Sequence, residues 1–104
     1  MTELRRRATR NQRLLIETCL ELGVPFWWRG PGTLLISASG VVDVIQRIEL
    51  HARVVGLEGF DLHGTEIDPR LDLIYDASVT QGEPSAVAAA WGEDVWVDVT
   101  IASD

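Results

Sequence analysis

Glu58, Asp61, Glu66, Asp68, Asp72 and Asp76 crowd into the stretch EGFDLHGTEIDPRLDLIYDAS over residues 58–78, and Arg70 is the one cation among them. Three kinds of chemistry suit such a set. Paired carboxylates such as Asp72 and Asp98 can work as acid and base in hydrolysis. His63 with Asp61, Asp72, Asp76 or Asp98 offers nitrogen and oxygen donors to a metal. An excess of one sign can also attract a partner of the opposite sign. The first two readings find no supporting motif: HExxH, a calcium loop, GxSxG, GxGxxG and a phosphate loop are all missing from the sequence. A lone histidine on a strand is more often a surface or hydrogen-bonded side chain than a ligand. The sequence therefore predicts no catalytic residue, no metal site and no cofactor. It favours a binding surface.

The elements that must position these residues follow from periodicity. Apolar and polar residues alternate over Phe60–Ile67 and Leu71–Ala77, flanking Asp68-Pro69-Arg70, which reads as a β-hairpin turning at Asp-Pro. Val95, Val97, Val99 and Ile101 alternate with Trp96, Asp98 and Thr100 in a last strand. If these three strands are neighbours, their outward side chains are Asp61, His63 and Thr65, then Asp72, Ile74 and Asp76, then Trp96, Asp98 and Thr100. This is a ring of carboxylates around a Trp, an Ile and a His. Like charges facing one another on a sheet cost tenths of a kcal/mol up to about 1 kcal/mol. Concentrating them without local gain points to a complementary basic partner.

Upstream, Leu15, Cys19 and Leu22 mark a helix over Thr2–Leu22 that stops at Gly23. Strands Val24–Arg29 and Thr33–Ala38 flank Gly30-Pro31-Gly32, with adjacent Trp27 and Trp28 on opposite faces. Ser39 is placed to cap a helix over Gly40–Val55, ended by Gly56, and Pro84 to open a short helix over Pro84–Trp91. The order is α-β-β-α-β-β-α-β. The expected fold is α+β: a mainly antiparallel five-stranded sheet with helices packed on one face. One domain spans 1–104, and residues 1–13 are expected to form a solvated, mobile basic arm.

Composition adds bounds. The net charge of −7 hides a split: eight of nine arginines lie in residues 1–53, and eleven of sixteen acids in residues 54–104. With no aromatic interleaving of its arginines and no nucleic-acid motif, the chain is not expected to bind RNA or DNA directly. No run approaches the roughly 20 apolar residues of a membrane span. A single cysteine, Cys19, suits a reducing compartment, so a cytoplasmic location is expected.

The stretch HARVVGLEGFDLHGTEIDPRLDLIYD, followed by SAVAAAWGEDVWVDVTI, resembles the layout of small immunity proteins of bacterial toxin systems, those neutralising tRNA-cleaving colicins above all. The shared elements are a helix running into Gly-hydrophobic-acid-Gly, an acidic strand pair ending in Tyr-Asp, and a short helix leading to an alternating last strand. The resemblance covers about residues 50–101. It implies an acidic protein that occupies the RNA-binding cleft of a nuclease toxin, and Glu58, Asp61, Tyr75 and Asp76 fall where the pattern matches.

Taken together, the sequence predicts a non-catalytic binding protein, an immunity protein or inhibitor whose partner is a cognate basic toxin domain. The expected contact residues are Glu58, Asp61, His63, Asp72, Tyr75, Asp76, Trp96 and Asp98. The alternatives are a structural subunit that self-associates through Trp27 or Trp28 and Trp96, or a small enzyme of unknown reaction.

Overall fold

In a computed structural model, which describes residues 9–30 and 32–102, the elements are α1 (Arg10–Leu22), β1 (Phe26–Gly30), β2 (Thr33–Ser37), α2 (Ala38–Ile48), β3 (Val54–His63), β4 (Glu66–Asp76), α3 (Pro84–Ala90) and β5 (Trp96–Ile101). They form the expected α+β fold in the expected order. The strands lie β1-β2-β5-β3-β4, and every pair is antiparallel. The connection through α2 carries the chain past the edge of the first hairpin and leaves a gap. After α3, the last strand returns to fill it.

The strict alternation of β5 decides how it sits. Val97 is fully buried and Val95, Val99 and Ile101 nearly so. They join Leu34 and Ile36 of β2, Val54, Leu57 and Tyr75 of β3 and β4, and the helix residues Leu15, Cys19, Val41, Val44, Ile45, Ile48 and Ala88 in one core. The three helices of the described residues cover that one face: α1 packs on α2, α2 on α3, β2 and β5, and α3 on β3. No helix among the described residues is long and apolar enough to cross a membrane.

Local chemistry shifts several boundaries from those the periodicity suggests. Helix α1 begins at Arg10, because the Thr9 hydroxyl accepts the Gln12 N–H at 3.0 Å while the Gln12 side chain accepts the Thr9 N–H at 3.3 Å. Asn11 ties this end to the sheet by donating to the Ile101 carbonyl at 3.4 Å. Residues 10–13 of the expected arm are thus the first turn of a packed helix, and residues 1–8 lie outside the described ones. Ser37, rather than Ser39, caps α2. That helix ends at Ile48, and the N–H groups of His51 and Ala52 both turn back to the Ile48 carbonyl. The β-branched pair Val54-Val55 then enters β3, so Gly56 is a strand residue and not a helix stop.

The central hairpin turns four residues earlier than Asp-Pro suggests, at Gly64 rather than Asp68. His63 pairs with Glu66 across Gly64-Thr65, and Gly64 has φ 62°, the positive value that a two-residue hairpin loop needs. Asp68, Pro69 and Arg70 belong to β4. Proline is tolerated there because β4 is an edge strand.

Near the middle of the hairpin the register jumps: Glu58 pairs with Ile74, but Gly59 pairs with Arg70, so Leu71, Asp72 and Leu73 bulge out of β4. Gly59 makes room for this. A Cβ there would lie 2.8 Å from Leu73 Cβ and 3.1 Å from Val95 Cγ1. Leu73 Cδ1, at 2.9 Å, and the Val95 methyl can give, but Leu73 Cβ is fixed to the backbone. Gly59→Ala should therefore lose about 1–3 kcal/mol in urea unfolding by overpacking this point. Stability within about 0.5 kcal/mol of the parent would show that the bulge does not clamp here.

Candidate functional site

The registers define what the helix-free face of the sheet carries. Glu58 lies directly opposite Asp98 on β5 and Ile74 on β4, and Phe60 lies opposite Trp96 and Pro69. On the other side of β5, Ser37 lies opposite Trp96, and Leu35 pairs with Trp27. Extending the β2–β5 register by one residue brings Leu35 beside Asp98. One row across the face therefore reads Trp27, Leu35, Asp98, Glu58, Ile74, and the next reads Ser37, Trp96, Phe60, Pro69. Two carboxylates sit within a frame of large apolar side chains.

This face resembles the expected one only in part. Glu58, Trp96 and Asp98 are together on it. Asp61 and His63 are not: Gly59 faces the core with Val97, so two residues on, Asp61 and His63 also point to the core side of the sheet, beyond the start of β5. Phe60 and Leu62, expected inside, take the open side instead. The β3–β5 register, with Leu57 opposite Val99 and Gly59 opposite Val97, sets this parity, and a one-residue change of phase exchanges every side chain between faces.

Asp61 and His63 instead belong to the projecting end of the hairpin. There Asp61 lies opposite Asp68, and Arg70 relieves the repulsion by donating to Asp61 at 3.3 Å. Arg70 also makes two bonds to Asp72, at 3.0 and 3.1 Å, holding the bulge. Asp72 is thereby kept below its usual carboxylate range by the guanidinium. His63 Nε2 stands 3.8 Å from Asp68 Oδ2 in an exposed position. Among the described residues, no three His, Cys, Asp or Glu side chains gather as metal ligands.

Two other expected contact residues serve the fold. Tyr75 is 5% exposed on the core side, and its hydroxyl donates to the Gly82 carbonyl at 3.4 Å, so it offers no contact surface. Asp76 shares the open side with Gly56, but its carboxylate accepts the Ser78 hydroxyl at 2.7 Å and the Ser78 N–H at 2.9 Å. Those bonds lower its pKa and close the turn after β4.

Asp98 is the group most altered by its surroundings. Burial, with the charge of Glu58 opposite adding to it, raises its pKa to about 6. No cation among the described residues contributes. The molecule does supply a guanidinium elsewhere on this face, where Arg29 lies 5.1 Å from the centre of the Trp27 ring. Trp28, on the other side of β1, packs against the core, which settles which of the adjacent tryptophans is inward.

Two concavities lie away from this face. One, of about 490 Å³, is formed by Arg10, Asn11, Leu14, His51 and Ile101 at the start of α1. Another, of about 400 Å³, lies among Leu22, Asp43, Arg47 and Leu50 near the helix ends. Both belong to the helix layer.

No family model, no curated protein and no solved structure matches the chain.

Because the folded pKa of Asp98 is raised, its contribution to stability is fully present below pH 4 and is lost as the pH rises through 6. Asp98→Asn removes that loss. It should stabilise the protein by about 1 kcal/mol at pH 7, a figure reduced from the full linkage value for partial solvent screening, and by much less near pH 4. Thermal melts of both proteins across that pH range measure it. A destabilised Asp98→Asn at pH 7 would mean that the carboxylate has a partner favouring its charge.

Proposed function

We propose that this chain is a non-catalytic binding protein that neutralises a basic partner, of the kind in which an acidic immunity protein occludes the nucleic-acid cleft of a nuclease toxin. The observation that carries the reading is the fate of the acidic half's one arginine. Residues 54–104 hold eleven acids against Arg70 alone, and Arg70 is engaged inside the hairpin with Asp61 and Asp72. The remaining carboxylates have no cation in their own half of the chain.

An incoming basic cleft would supply that charge. Complementary potentials steer encounter and can raise association rates to about 10⁸ M⁻¹s⁻¹ at low salt. Occlusion would then follow from filling the cleft, with no bond made or broken. The resemblance of residues 50–101 to colicin-type immunity proteins points the same way. A second reading, self-association through Trp27 and Trp96, draws on their placement on the uncovered face. Sedimentation of the isolated protein over a range of concentrations separates the two.

The direct test uses purified cationic ribonuclease domains from toxins of the same genome, assayed for tRNA cleavage with and without this protein. One should be inhibited at near-equimolar protein, with affinity falling about tenfold or more as salt rises from about 50 to 300 mM. Inhibition of none of them, or inhibition indifferent to salt, overturns the reading.

A further inference from the structure

We propose that the helix-free sheet face binds an arginine side chain of the partner, its guanidinium set against the Glu58–Asp98 pair and stacked on Trp96 and Phe60. This deepens the proposed function and rests on it.

Four observations converge on that occupant. Glu58 and Asp98 are directly opposed across β3 and β5. Opposed residues of an antiparallel pair have Cβ atoms about 5 Å apart, a separation that one planar guanidinium can bridge with N–H groups directed to both carboxylates. Phe60 and Trp96 are directly opposed in the adjacent row of the same face, so an aromatic surface adjoins the carboxylates. The face already holds such a contact, since Arg29 stacks on Trp27 at 5.1 Å, while among the described residues Trp96 has no cation over its ring. Lastly, the two arginines on the strands of this sheet are engaged elsewhere among the described residues: Arg70 with Asp61 and Asp72, and Arg29 with Trp27.

The chemistry favours arginine over lysine. A guanidinium is weakly hydrated, offers a flat face to an indole, and donates in a fork that satisfies two acceptors together. An ammonium would meet one carboxylate well and leave the aromatic pair little used.

The test is an NMR titration of the full chain with a blocked Gly-Arg-Gly-Arg-Gly peptide and with its lysine counterpart. The arginine peptide should shift the Trp96 indole N–H and the backbone N–H groups of Glu58, Phe60 and Asp98, and bind several-fold more tightly than the lysine peptide. Asp98→Asn and Glu58→Gln should each weaken it about tenfold at low salt. Asp68→Asn at the hairpin end should leave it unchanged. Since Asp98→Asn is expected to stabilise the fold, its loss of binding is not confused with unfolding. Trp96→Leu should remove most of the preference for arginine.

Several results overturn the proposal: shifts confined to Asp61–Asp72, equal affinity for the two peptides, or no binding up to millimolar peptide. If deleting residues 1–8 moves the same resonances without peptide, the face belongs to the chain's own Arg5–Arg7. If the free protein dimerises with Trp96 shifted, the face belongs to a second copy. Each of these outcomes also rules out a partner arginine. Failure here is distinct from failure of the inhibitor reading: nuclease inhibition that survives Asp98→Asn and Trp96→Leu unchanged removes this site and leaves that function standing.

Discussion

Everything in this molecule depends on where the last strand goes. Strand β5 joins the two hairpins into one sheet, because β2 pairs with it on one side and β3 on the other. Its β2 register joins Ile36 to Val97, residues far apart in the chain. Such a contact is entropically costly to close and is rewarded only when the apolar face is covered. The buried Val face of β5, pressed against α2, provides that reward. Neither hairpin could cover the other's inner edge alone.

The same strand that completes the core also composes the opposite face. Because Val97 and Val99 point inward, Trp96 and Asp98 must point outward, and their partners Phe60 and Glu58 are fixed by the β3–β5 register. The positions of the aromatic pair and the carboxylate pair are therefore consequences of core packing. They lie on strands rather than loops, so the spacing between them is held by the ladder hydrogen bonds on either side.

The acidic character divides physically into two zones. At the hairpin end, Arg70 meets Asp61 and Asp72, and the carboxylates are exposed, where water and salt screen what repulsion remains. On the sheet face no cation among the described residues pairs with Glu58 or Asp98, and burial raises the pKa of Asp98. In composition these zones are indistinguishable, since both read as aspartate and glutamate on alternating strands. That explains which parts of the molecule were legible in the sequence. The element order, the single-sided helix layer and the Val face of β5 follow from periodicities of 3.6 and 2, and they are as expected. The turn was misplaced because Asp-Pro competed with His-Gly-Thr-Glu, and the positive φ of Gly64 decided it. The alternation read from Phe60 onward places Asp61 and His63 outward, but β3 starts at Val54 and its Leu57 and Gly59 face the core, which puts Phe60 on the open side instead. Nothing in the alternating pattern shows Leu71–Leu73 leaving the ladder. Gly59, whose lack of a side chain leaves room for Leu73, is the one available signal.

An antiparallel sheet with one solvated face ordinarily carries polar residues there. This one carries Trp27, Leu35, Phe60, Trp96 and Ile74, with Leu35 1% exposed although it lies on the side away from the helix core. The large side chains and the unpaired acids are thus one feature rather than two. By excluding water, the aromatic frame weakens the solvation of Asp98, which is why its ionisation is opposed. The same low local dielectric strengthens its attraction to any cation that enters the frame. A carboxylate pair on an ordinary wet surface would fold more easily and bind more weakly. On the proposed reading the folding cost and the binding potential have a single origin, the burial of charge on a face that the helices of the described residues leave uncovered.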